Sequence, residues 1–445
     1  KLICFVVYGQ NVNSGTTNME GAVQLSNFLK SKKIDIPISF IGSYVQALPK
    51  KTLNEEKSID FVFMNEGVYS LHEIIKLKKF DEYNLKKVPG IFFRNNKNQI
   101  EFTKPVDVVP TERMDIDLPG YAWDLLPYKE EPLDLYRSPL WHAEYNEKYR
   151  TPYAAIQTSL GCQFKCNFCM INILNKNDDD EIGQATKYNK MRFWSPNFII
   201  KEFDKLISMG VKTIKITDEM FLLNPKYYLP LCELLEKRNL NDDLKMWAYS
   251  RVDTVKRKEI LIKVRKAGIK WLALGIESGS KAIRLEVSKG KFEDVNIKQV
   301  VKQIESADIN VLANYIYGLP GDTNQSINQT FDLSKELNTL GWNTYAAMAL
   351  PGSELYKESV NKNIDIPNKY SEFSFHSYDT KPQSTNKLKA WEILQLRDNH
   401  FHEYFSNSQF KNKIREKFGS IAEKNIEEML KVKLKRKIIE ENQNK

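Results

Sequence analysis

The chain has 445 residues, 42% hydrophobic and 28% charged, enough apolar material for two or three packed cores and too much for a disordered tail. Its formal charge of +9 is spread over 66 basic and 57 acidic residues, a mildly basic surface that excludes a dedicated nucleic-acid-binding tract. Five cysteines, with Cys162, Cys166 and Cys169 crowded together, exclude a secreted disulfide framework and point to metal in a reducing compartment. The apolar runs at 2–8 and 198–200 are far too short to cross a bilayer and no signal peptide precedes them, so a soluble, cytoplasmic chain is expected. Lys1 leads straight into the run at 2–8 without a turn or cap, and further residues are expected upstream.

Taken in order, the first 90 residues alternate short apolar runs (2–8, 37–41, 59–64) with helical stretches (19–30, 49–56, 71–77), the rhythm of a parallel sheet covered by helices. A hairpin-like pair at 90–94 and 99–103 follows, then a Pro- and acid-rich passage, so that 91–150 reads as a connecting segment. From 151 the alternation resumes, with strands expected at 153–159, 213–217, 245–248, 271–275, 310–316 and 343–347. The helix expected at 196–209 puts Ile199, Phe203, Leu206 and Ile207 on one face. Six βα units in succession imply a barrel, or most of one, over 151–360. The C-terminal region of 361–445 is expected to be mostly helical, with only helical pattern after residue 385, a capping box at Ser420 and Glu423 and a stripe at Ile426, Leu430, Leu434 and Ile438.

The loop after the first barrel strand reads Ser159-Leu160-Gly161-Cys162-Gln163-Phe164-Lys165-Cys166-Asn167-Phe168-Cys169, a C-x3-C-x2-C spacing. Three thiolates from one loop can reach one small metal centre. A structural zinc site wants four ligands, and neither Cys4 nor Cys232 has a matching spacing; both read as small hydrophobes. Three ligands on a four-iron cluster leave one iron open, and an open metal position is where a cofactor or substrate binds.

This loop resembles that of the radical S-adenosylmethionine (SAM) superfamily, in which an aromatic residue such as Phe168 often precedes the last cysteine. The resemblance implies a [4Fe–4S] cluster on Cys162, Cys166 and Cys169, SAM on the open iron, reductive cleavage of SAM to a 5′-deoxyadenosyl radical, and a partial (β/α)6 TIM-type barrel. It extends over about 150–360. Asp218 and Glu219 follow the second strand, where the family engages the SAM amino group, although an acidic pair at a helix start has its own appeal. Trp247-Ala248-Tyr249-Ser250-Arg251-Val252-Asp253 matches a W-A-x-x-R-x-D string of the cobalamin-binding branch, with Ser250 and Arg251 as SAM contacts and Asp253 as a contact or a helix cap. Gly275-Ile276-Glu277-Ser278-Gly279 matches its G-I-E-S-G segment, with Glu277 either a SAM contact or part of an interior network. Gly318-Leu319-Pro320-Gly321 matches its G-L-P-G turn on the adenine side.

Residues 1–90 resemble part of the Rossmann-like cobalamin-binding domain upstream of many such barrels. Gly42, Ser43 and Tyr44, with Pro49, lie where a G-x-H-x-x-x-x-P turn lines the corrin, and Asn65, Glu66 and Gly67 lie where a G-E-G-E segment does. Tyr44 stands where His is common, Asn65 and Val68 replace the outer Gly and Glu, and the D-x-H-x-x-G lower-ligand motif is absent from the sequence. Cobalamin bound without a histidine ligand, a ligand upstream, and a Rossmann-like unit that binds nothing are all consistent with this segment.

These resemblances imply a cobalamin-dependent radical SAM enzyme, an expected methyltransferase acting on an unactivated carbon of a small metabolite. A radical cyclase, rearrangement or oxidation enzyme is the alternative within the branch, and a zinc-stabilised nucleic-acid-binding protein the alternative outside it. Tyr345, Met348 and His376, with Tyr356 and Tyr378, are candidates to line the substrate pocket, and Trp141 and His142 precede the first strand. A flavodoxin or ferredoxin is the expected reducing partner, with no nucleic acid and no membrane.

Overall fold

The computed structural model describes residues 1–9, 14–128, 151–171, 191–255, 257–288, 292 and 294–443. Trp141 and His142 lie outside the described residues. The chain divides into two compact units, each assembled from separated stretches: 1–118, 161–190 and 348–383 in the first, and 119–160, 191–347 and 384–445 in the second.

The first unit holds a five-stranded sheet in sequential order, β1 (Ile3–Val7), β2 (Ile38–Gly42), β3 (Phe61–Phe63), β4 (Ile91–Arg94) and β5 (Ile100–Phe102). β1, β2 and β3 run parallel, joined by helices, while β3–β4 and β4–β5 are antiparallel. The central strands β2 and β3 are buried along their whole length, which is why they read as continuous apolar runs. β1 is an edge strand, so Cys4 is partly exposed rather than buried as expected. One core packs Phe40, Tyr44, Val45 and Val62 with Met170, Met348, Leu350, Tyr356 and Phe373, so the last two stretches of this unit complete the hydrophobic interior of the first.

The second unit is built on β6 (Tyr153–Ile156), β7 (Ser159–Leu160), β8 (Arg192–Phe193), β9 (Thr213–Ile216), β10 (Lys245–Arg251), β11 (Ile269–Glu277), β12 (Asn310–Tyr317) and β13 (Gly341–Ala346). Six of these form an all-parallel sheet in the order β13-β12-β11-β10-β9-β6, the half-barrel expected from the pattern, and β7 and β8 form a separate antiparallel pair. The strand expected at 153–159 is thus broken after Ile156, and Ser159 and Leu160 pair instead with the segment that returns at Arg192.

Alternation gives the sheet two faces. Tyr317 and Trp342 point to the helical side, where Tyr317 bonds His400 at 3.0 Å and Trp342 stacks with Tyr404 of the helix Ala390–Ser406. Their neighbours in sequence point to the concave inner face. The helix Pro196–Ser208 is capped by Ser195, whose hydroxyl accepts from the amide of Phe198, and buries Ile199, Phe203 and Leu206 as its spacing predicts.

Two C-terminal expectations fail. The helix Ser420–Leu430 begins on Gly419 without a side-chain cap, because Glu423 is drawn away to a bidentate pairing with Arg415. The stripe from Ile426 to Ile438 is not one helix: the chain leaves helical geometry after Leu430 and resumes at Lys437, and Leu434 is exposed. Among the described residues no helix is long and apolar enough to cross a membrane.

Candidate active site

In the second unit the strands deliver their chemistry at their C-terminal ends, where parallel α/β sheets place ligands. Asp218 and Glu219 follow β9, Arg251 ends β10, Glu277 ends β11 and Gly318 follows β12.

Asp218 is turned into the protein. Its carboxylate is 1% exposed and accepts from the Thr158 amide, the Thr158 hydroxyl and the Ser159 hydroxyl, each at 2.6 Å. Burial raises its pKa, and these bonds oppose the rise. Tyr227 donates to the Thr158 carbonyl at 2.7 Å, so the segment that runs into the cysteine loop is held from two sides. Glu219 is only partly buried and attracts the ammonium of Lys215.

Arg251 is buried and fixed by two 2.6 Å bonds to Asp253, with its guanidinium 4.6 Å from the ring of Phe292. Asp253 therefore orients this arginine and is not a helix cap. Ser250 is buried on the helical side of β10 and shares a 2.8 Å hydroxyl bond with Thr254. At the end of β11 the pairing to β12 slips between Gly275 and Glu277, and Glu277 takes a left-handed conformation, φ 64°. The bulge aims its carboxyl back over Gly275, where an added Cβ would stand 2.7 Å from Glu277 Oε1. Burial pushes the Glu277 pKa up to about 7, with Arg251 opposing and Asp253 adding. Ser278 is buried against Thr330 and accepts from the Ser280 amide, closing the turn. Gly318 has φ 79°, and its amide and that of Leu319 both donate to Asp322 at 3.0 Å.

Three polar residues of the inner face were not singled out from sequence. Lys215 is 4% exposed with its ammonium 4.1 Å from the ring centre of Trp247 and 5.4 Å from that of Tyr249, and burial lowers its pKa to about 7. Asn314 and Asn343 are paired across β12 and β13. A lone Lys or Asn in a strand reads as a surface residue until strand register shows which face it occupies. Tyr345 lies on the same inner face and is 40% exposed.

In the first unit Cys162 is buried and Cys166 and Cys169 partly so. The Phe164 amide donates to Cys162 Sγ at 3.5 Å, and the Cys169 amide to the Cys166 carbonyl at 3.1 Å. Phe168 is partly buried. The loop is anchored by the Leu355 amide on the Asn167 carbonyl, 2.9 Å, and by Met170 in the core. Three cysteines on one anchored loop, one already accepting an amide N–H, suit an iron–sulfur cluster. Among the described residues no three His, Cys, Asp or Glu side chains are gathered as ligands of a single metal ion. Cys232 is buried in the helix Pro225–Glu236, where burial pushes its thiol up to about 12.

The candidate cobalamin residues of this unit stand at the C-terminal ends of β2 and β3, the ligand-binding edge of a parallel sheet. Several side chains are committed inward. Tyr44 is buried edge-on against Tyr370, Asn65 donates to the Val106 carbonyl at 2.7 Å, and Glu66 accepts from the Val109 amide at 3.1 Å. Gly42 and Gly67 pack closely too, an added Cβ standing 2.2 Å from the Val7 carbonyl and 2.5 Å from the Ile41 side chain, and Ser43 is buried. His72 is on an exposed helical turn beside Glu73. Met348 and Tyr356 pack into the core, and His376 lies against Phe375.

The family model of the radical SAM superfamily matches residues 156–334. An uncharacterised methyltransferase of Pyrococcus horikoshii is 25% identical over 356 residues, 79% of this chain and 69% of that protein. The anaerobic magnesium-protoporphyrin IX monomethyl ester cyclase of Cereibacter sphaeroides is 24% identical over 373 residues, 82% of this chain but 54% of that protein, so the chain spans little more than half of this relative. Among solved structures, TsrM of Kitasatospora setae, a radical SAM methyltransferase with cobalamin and a [4Fe–4S] cluster bound, aligns with a TM-score of 0.57 at 14% identity, covering 81% of this chain and 67% of its own. OxsB, a cobalamin-dependent SAM radical enzyme, aligns at 0.54 and 17% identity over 82% of this chain and 47% of its own. At such identities the two structures establish the fold. The matched segment, 156–334, with its half-barrel and three-cysteine loop, is similar to the domain of the radical SAM superfamily, whose enzymes use SAM and a [4Fe–4S] cluster.

Proposed function

We propose that the chain is a cobalamin-dependent radical SAM methyltransferase acting on an unactivated carbon of a small metabolite. The observation that carries this reading is the succession of Glu219, Arg251, Glu277 and Gly318 at the ends of consecutive parallel strands, in a chain whose first barrel strand leads into Cys162, Cys166 and Cys169.

In this reading Cys162, Cys166 and Cys169 would hold the cluster, with SAM bound beside it. When bound, the cluster and SAM would supply one-electron radical chemistry, and cobalamin would supply methyl transfer. Arg251, locked by Asp253, presents a fixed positive charge at the strand ends, and Glu277 sets a proton-bearing carboxyl beside it. Asp218 steadies the segment entering the cysteine loop. The strand ends that carry Gly42, Ser43, Tyr44, Asn65, Glu66 and Gly67 would lie along the corrin, meeting it through backbone. Tyr345 stays a candidate for the substrate pocket, and a flavodoxin or ferredoxin is the expected electron donor.

The likeness to the cyclase favours a second reading, a radical reaction on a small molecule without methyl transfer. The deciding measurement is the iron, cobalt and zinc content of protein purified without oxygen from cells supplied with cobalamin. About four iron and about one cobalt per chain are expected for one [4Fe–4S] centre and one corrin. Iron without cobalt supports the second reading, and zinc without iron sinks both.

A further inference from the structure

We propose that Asn314 and Asn343 form a subsite for a neutral substrate group that both donates and accepts hydrogen bonds, of the carboxamide or lactam kind. The proposal rests on the radical SAM reading of this barrel and names the substrate chemistry of that same site.

The two residues are register partners on β12 and β13, and Asn314 is in turn the partner of Gly275 on β11, whose partner on β10 is Arg251. Side chains at partnered positions of adjacent parallel strands point to the same face. Arg251, Gly275, Asn314 and Asn343 therefore make one row across the inner face of the half-barrel, running from the residues assigned to SAM to the two amides. Gly275 puts no side chain of its own into that row, the Glu277 carboxyl turning back over it, and Ala273 puts only a methyl group into the row below.

Asparagine is depleted from strands, and a partly buried amide must satisfy its polar atoms. Here the satisfaction is incomplete in a directed way. Asn343 Nδ2 donates to Asn314 Oδ1 at 2.9 Å, and Asn314 Nδ2 donates to the Leu312 carbonyl of its own strand at 3.3 Å. These bonds fix how each amide is turned. Each amide carries two N–H donors and a carbonyl acceptor, so the pair still offers the Asn343 carbonyl and one N–H from each residue, and among the described residues no other hydrogen bond takes them up. Two donors beside one acceptor complement a group with its own carbonyl and its own N–H. A carboxylate can only accept, and it would set its lone pairs against the Asn343 carbonyl; an aliphatic group would leave all three unpaired, a mismatch that hydrogen-bonding sites reject strongly.

The test uses the full chain with its cluster reconstituted and SAM present, titrated with benzamide and with benzoate, two probes of the same shape, and followed by ligand-observed NMR. Benzamide is expected to bind at least about tenfold more tightly than benzoate, roughly what one well-placed hydrogen-bond difference gives. Asn343→Leu is expected to bring the two within about twofold of each other, the loss of that same difference. Equal or tighter binding of benzoate, binding of neither probe, or an unchanged preference in Asn343→Leu overturns the subsite. Should the variant not fold, the preference of the unmodified protein decides. Iron content and SAM affinity are read on the same samples: their loss strikes the radical SAM reading, whereas a missing amide preference in protein that holds both strikes this inference alone.

Discussion

Asp218 and Thr158 are joined twice, the carboxylate of one accepting both the backbone amide and the side-chain hydroxyl of the other at 2.6 Å. With the Ser159 hydroxyl as a third donor, this aspartate ties the end of β9 to the residues that open the cysteine loop. Asp218→Ala leaves those buried donors without an acceptor and is expected to destabilise the protein by about 3 kcal/mol, whereas Asp218→Asn, which keeps an acceptor for the amide, is expected to cost about 1 kcal/mol. Denaturant midpoints of the two variants check this; equal losses would show that the carboxylate's bonds do not hold the segment.

Glu277 makes stability depend on pH. Its pKa is raised from the ordinary 4.5 to about 7, first by burial, so between those values the folded protein holds a proton that the unfolded chain has released. Stability from this group is therefore full below about pH 4.5 and falls as pH rises through 7, by up to about 3 kcal/mol. Glu277→Gln is expected to lack this decline. Unfolding free energies at pH 5 and pH 8 for both proteins measure it, and parallel profiles would refute it.

Lys215 acts in the opposite direction and in a higher window. Burial lowers its pKa from 10.5 to about 7, with Glu219 opposing, so above pH 7 the unfolded chain keeps a proton that the folded protein has lost, and stability rises toward pH 10.5. Lys215→Met removes a buried charge and is expected to stabilise the protein at pH 7 by about 2–4 kcal/mol, net of the lost ring contacts. That advantage should fade by pH 10. A variant less stable than the parent at pH 7 would mean that the lysine is held by stronger partners than the rings and Glu219.

Gly318 combines φ 79° with close packing, since an added Cβ would stand 2.8 Å from the Ile393 side chain. Gly318→Ala is expected to cost about 2–3 kcal/mol from backbone strain and overlap together. Pairing it with Ile393→Val, which withdraws one of the crowding methyl groups, should recover part of the loss in a double-mutant cycle; purely additive losses would assign the whole cost to the backbone.

What was legible in the sequence was whatever local chemistry announces. The cysteine spacing, the strand-end motifs and the buried runs of β2 and β3 all sit where their composition puts them, because strands covered on both faces are apolar along their length. Less legible was anything decided by partners distant in sequence. Asp218 carries the same letters whether it faces a ligand or Thr158. Lys215, Asn314 and Asn343 gain meaning only when register lines them up with Trp247, Gly275 and each other. The Ser420–Glu423 box was read correctly as a pattern and defeated by Arg415, a stronger partner for the glutamate. The stripe ending at Ile438 kept its spacing across a stretch, Val432–Arg436, that the fold does not make helical.

The first unit draws its interior from three separated parts of the chain, and this bears on how the protein is made. Tyr44, Val45 and Phe40 share their core with Met348, Tyr356 and Phe373, so a ribosome must add some 230 further residues after position 118 before those partners exist. At about 5–20 residues per second that interval lasts roughly 10–50 seconds. During it the apolar side of β2 and its following helix has only the cover its own stretch provides, from residues such as Met19, Val23 and Leu53, and the nascent chain is open to aggregation and chaperone capture. Release of a folded N-terminal unit from the ribosome is thus timed by the emergence of residues 348–383, long after its own strands have been synthesised.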